Sequence, residues 1–157
     1  MRRGRLAGLT AVAMSALVAT TGGFASRPGI AGREVIKIVG SMPGPFHAQV
    51  TAKGAFTARG YFIRRKASLV FPKGRLAVRR HVVTTTYTPP NLATCWFKIQ
   101  QRGTFRVFYA TGSYRGLRFG GQFRSTFSGR LNRTGNDQCG SKVVVYHIVT
   151  YETGKIP

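Results

Sequence analysis

Residues 117–131 read Leu-Arg-Phe-Gly-Gly-Gln-Phe-Arg-Ser-Thr-Phe-Ser-Gly-Arg-Leu, and they separate by parity. The odd positions are Leu117, Phe119, Gly121, Phe123, Ser125, Phe127, Gly129 and Leu131. The even positions are Arg118, Gly120, Gln122, Arg124, Thr126, Ser128 and Arg130. A helical period of 3.6 would scatter both sets around a cylinder. A strand sends alternate side chains to opposite faces, so the phenyl rings share one side and the guanidinium groups the other.

The same period runs from Phe46 to Phe62. Phe46, Ala48, Val50, Ala52, Gly54, Phe56, Ala58, Gly60 and Phe62 alternate with His47, Gln49, Thr51, Lys53, Ala55, Thr57, Arg59 and Tyr61. The spacing predicts one long strand with a buried face. Shorter strands are expected over residues 34–39, 67–71, 75–87 and 141–153, with Pro72-Lys73-Gly74 as a turn. Arg79 and Arg80 interrupt the alternation and mark a bulge. Residues 94–100 and 103–110 lie two residues apart, which predicts a hairpin. The sum is an all-β chain, a single antiparallel β-barrel of about eight strands. Long strands punctuated by glycine suit closure, which also removes exposed edges.

The chain has 157 residues and carries 25 Lys plus Arg against 3 Asp plus Glu, a net charge of +22, together with 11 Phe and 6 Tyr. That aromatic content separates it from a disordered polycation. Residues 1–25 combine a basic head (Arg2, Arg3, Arg5), an uncharged apolar run and small exit residues, the pattern of a secretory signal peptide. Cleavage is expected after Ala25, with Gly29-Ile30-Ala31 as a second candidate site. Residues 26–45 then form a linker with a first short strand, and residues 46–157 form the barrel domain. Export gives a secreted protein, extracellular or associated with the cell envelope. In that compartment Cys95 and Cys139, the only cysteines, are expected to pair.

Thr111-Gly112-Ser113-Tyr114-Arg115-Gly116-Leu117-Arg118-Phe119-Gly120-Gly121-Gln122-Phe123 resembles the TG-x-Y-x-G-hydrophobic-x-G-x-G-x-F pattern of secreted bacterial proteins with an allene oxide cyclase-like barrel. That superfamily is similar to the plant dirigent proteins. The resemblance implies a bacterial protein with an eight-stranded antiparallel barrel and a central apolar cavity. It implies no catalytic residue.

No nucleophile elbow, zinc-protease motif, C-x-x-C pair or dinucleotide loop occurs. Glu34, Asp137 and Glu152 are the only acids, each expected to pair with an arginine. No metal site or cofactor is therefore expected, and no catalytic residue is assigned. His47 falls on a polar strand face. His147 and Tyr151 share a face with Val143, Val145 and Val149, which makes them the candidate polar residues of a cavity. Arg106, Arg118, Arg124 and Arg130 form a basic face suited to an anionic polymer or a membrane surface. Its lack of interleaved aromatics argues against nucleic acid as a dedicated partner. The functional expectation is a secreted basic barrel that binds a small apolar ligand in its cavity. The alternatives are an allene oxide cyclase-like isomerase or cyclase, and a cationic envelope-associated protein that binds acidic polymers.

Overall fold

In a computed structural model of the chain, residues 30–42, 48–136 and 138–157 are described. The signal peptide, cleavage after Ala25, Phe46 and His47 lie outside them. Eight antiparallel strands close into a barrel in sequence order. They are β1 (Gly32–Met42), β2 (Ala48–Gly54), β3 (Ala58–Ile63), β4 (Ser68–Phe71), β5 (Gly74–Thr88), β6 (Trp96–Ala110), β7 (Phe119–Arg133) and β8 (Cys139–Ile156). Closure runs through β1 and β8, paired from Gly32↔Ile156 to Met42↔Tyr146. The first strand, expected as short and separate from the barrel, is thus eleven residues long and integral to it.

Two further expectations are corrected. The run from 46 to 62 is not one strand but the hairpin β2–β3, with Ala48↔Phe62, Val50↔Gly60 and Ala52↔Ala58 as partners. Each pair joins two even positions, so the alternation passes through the turn without a break in phase. Conversely, residues 94–110 do not form a hairpin, because β6 continues through Gln101 and Arg102, which face Ser125 and Arg124 on β7. Gly103 serves close packing there: a Cβ on it would lie 2.0 Å from the His81 carbonyl oxygen.

The interior follows from the register. Phe119, Phe123, Ser125 and Phe127 on β7 lie on the same side as Glu152, Thr150 and Ile148 on β8 and Ile36 and Ile38 on β1. Along β7 Phe123 is buried and Arg124 exposed. The two ends of the barrel differ. At one, Phe56, Phe71 and Tyr114 form a plug, with ring centroids 5.0 to 6.0 Å apart. Glu34 stabilises that end by accepting the Phe56 N–H at 3.0 Å across the β2–β3 turn. At the other end the long hairpins project, and a Cys95–Cys139 disulfide ties the β5–β6 connection to the start of β8. Its 44-residue span corresponds to ~4 kcal/mol of chain-entropy stabilisation.

Candidate functional site

Because β4 has only four residues, its ladder to β5 ends at Ser68↔Ala77. Beyond it the barrel wall opens, and a cavity of about 660 Å³ reaches inward past Arg64 and Ala67. Its walls are Met42, Phe62, Val78, Phe127, Val143, Tyr146 and Ile148, with Arg80 as its inner cation. A smaller recess of about 250 Å³, lined in part by Gln101 and Ser125, shares Phe127 and Ile148 with it. Above the cavity an aromatic ladder crosses four strands. Tyr87, Phe97, Phe127 and Tyr146 follow one another at centroid distances of 6.3, 5.6 and 5.2 Å. Gly129 leaves the space that the Phe97 ring fills, since a Cβ there would meet that ring at 2.7 Å.

Arg80 and Glu152 supply the polar chemistry. Arg80 Nε donates to Glu152 Oε1 at 2.6 Å, and its guanidinium lies 5.1 Å from the centroid of the Phe62 ring. Glu152 is fully buried, while the Arg80 side chain is 25 % exposed. Arg80 Nη2 and Glu152 Oε2 are buried without a hydrogen-bond partner. Burial pushes the Glu152 carboxyl above its usual value of 4.5, against the opposing pull of the Arg80 charge and hydrogen bond. Nearby, the Ser125 and Thr150 hydroxyls satisfy each other at 2.8 Å. Among the described residues no three His, Cys, Asp or Glu side chains come together to hold a metal ion.

The register corrects the placement of two candidate residues. His147 and Tyr151 lie on the outer face of β8, not in the cavity; His147 is exposed and Tyr151 is 44 % exposed. Both faces of β8 look apolar, and only pairing decides between them: Phe123↔Glu152 and Phe127↔Ile148 turn the even residues inward. The inward polar residues are Glu152, Thr150 and Tyr146 instead. Arg80, expected only to mark a bulge with Arg79, is an inward residue in regular register with Phe105. It interrupts the apolar alternation because it points inward, between Val78 and the buried Phe105. The register shifts lie on either side, at Ala77/Val78 and Val82/Thr84. Arg106, Arg118, Arg124 and Arg130 are all exposed, and Arg106 stands beside β7 opposite Gly120.

Compared with known proteins, the chain matches no family model, no curated protein and no solved structure. What holds is the architecture: an all-β antiparallel barrel with a Cys95–Cys139 disulfide.

Proposed function

We propose that this protein binds a small amphipathic molecule in the open end of its barrel. The observation that carries the reading is the 660 Å³ cavity itself, apolar on its walls and equipped with one inward arginine held by Glu152. Ligand sites are typically recesses of about 300–1,000 Å³ with mainly apolar linings and a few fixed polar groups. The apolar body of the ligand lies against Phe62, Phe127 and Ile148, and its polar end faces the exposed part of Arg80. The likeness of residues 111–123 to the allene oxide cyclase-like pattern supports the same reading, since that family implies a central apolar cavity. The leader-like residues 1–25 and the disulfide support a place outside the cytosol.

The test is titration with anilinonaphthalene sulfonate, a probe with an apolar body and one anionic group. The native chain is expected to enhance its fluorescence saturably. Ile148→Trp, which narrows the cavity beside Phe127, is expected to weaken binding by about tenfold, the loss that follows from removing ~1.4 kcal/mol of contact. Equal binding by both proteins would place the probe elsewhere and overturn the proposal.

A further inference from the structure

The outer face carries a feature unrelated to the cavity. Across the strands, Thr84, Arg102, Arg124, Tyr151, Lys37, Thr51 and Arg59 are successive register partners from β5 round to β3. At about 4.8 Å per strand, the row from Arg102 to Arg59 spans roughly 24 Å around the barrel. Arg102 and Arg124 face each other directly, an arrangement that is unfavourable unless another charge intervenes. No described acid can supply that charge from the outer surface, because Glu34 and Glu152 are both fully buried. Two grooves lie along the row and share Tyr151. One, of about 740 Å³, presents Arg33, Arg102 and Arg124 beside Thr104 and Gln122. The other, of about 700 Å³, presents Lys37, Lys53 and Arg59. The Lys37 ammonium rests 5.7 Å from the centroid of the Tyr151 ring, on the divide between them.

We propose that this belt is a docking site for a flexible, linear phosphate polyanion that winds around the barrel through both grooves. Charge complementarity identifies the partner's sign, and shape identifies its form. A flat bilayer meets a convex barrel along one or two strands and enters neither groove. A single chain can follow the row over six strands and place successive phosphates against Arg102 and Arg124, then Lys37, then Arg59. The hydroxyl and amide groups of Thr104 and Gln122 supply neutral donors without opposing charge. Recognition is of the backbone charge, so a nucleic-acid strand and a polyphosphate are equivalent ligands.

The full chain is tested by fluorescence anisotropy with a labelled oligothymidylate, with long-chain inorganic polyphosphate as competitor. Four neutralised phosphates on a single strand predict an affinity about fifty-fold weaker at about 200 mM salt than at about 50 mM. Arg102→Gln with Arg124→Gln removes two of them and is expected to weaken binding about 25-fold near 0.1 M salt, roughly halving the salt slope. Arg65→Gln with Arg115→Gln removes equal charge from exposed positions off the belt and is expected to cost less than about threefold, the residual long-range effect of net charge. Circular dichroism confirms that both variants remain folded. Displacement of the oligonucleotide by polyphosphate supports the proposal. Equal loss in the two double variants, failure of polyphosphate to compete, or binding confined to phosphatidylglycerol vesicles would overturn it.

Discussion

Arg80 shows how one side chain can both hold a buried carboxylate and line a cavity. Its ion pair with Glu152 permits a carboxylate inside the barrel, and its exposed part gives the cavity a polar point. Removing one partner of a buried pair leaves an uncompensated charge and costs about 3–5 kcal/mol, whereas replacing both by apolar side chains is often neutral. Arg80→Met should therefore destabilise strongly, and Arg80→Met with Glu152→Met should recover most of the loss. Urea unfolding of the native chain, Arg80→Met, Glu152→Met and the double variant measures this, and additive effects would show that the pair is not coupled. The penalty of the single variant should also shrink in acid, where the stranded carboxyl takes up a proton. Gly103 tests packing rather than charge. Its replacement by alanine drives a Cβ into the His81 carbonyl and should cost about 1–3 kcal/mol or more. Gly135→Ala, where nothing lies within 4 Å, should change stability by less than about 0.5 kcal/mol.

Strands were more legible in the sequence than the turns between them. Residues 117–131 nearly coincide with β7, and the opposition of Phe123 to Arg124 is the opposition of inside to outside. Eight strands were expected and eight are present, but two departures offset each other: one expected strand is the β2–β3 hairpin, and one expected hairpin is the continuous β6. Parity explains the first, because a turn whose flanking partners are both even preserves the phase of the pattern. Gly103 explains the second, because a glycine admitted for close approach resembles one admitted for a turn. The cavity was legible only as an expectation of hollowness. Its residues come from β1, β3, β5, β7 and β8 together with the β3–β4 connection, and local periodicity contains no record of which strands become neighbours. The side taken by His147 is hidden for that reason: both faces of β8 are apolar, and the deciding partner, Phe123, lies 29 residues before Glu152 in the chain.

For the whole molecule, the location of the acids determines the response to pH. Glu34 and Glu152 both have carboxyls raised above 4.5 by burial. A group with a raised folded value binds its proton more tightly when folded, so its contribution is complete below the unfolded value and is lost as pH rises through the folded one. Stability should therefore increase, not decrease, as pH is lowered from neutrality towards about 4.5, the reverse of ordinary acid denaturation. Few carboxylates exist to be neutralised, so acid adds little repulsion to a chain already at +22. Thermal unfolding followed at pH values through that window checks the sign. A melting temperature that falls steadily on acidification would refute it.

Gly32 and Ile156 are register partners at the plugged end, opposite the cavity mouth. A handle attached after Ile156 therefore sits at the plugged end, away from the opening beside Arg64 and Ala67. The same adjacency allows Gly32 and Ile156 to be bridged by a short peptide and the barrel reopened elsewhere, giving a circular permutant of residues 32–156 with the same wall.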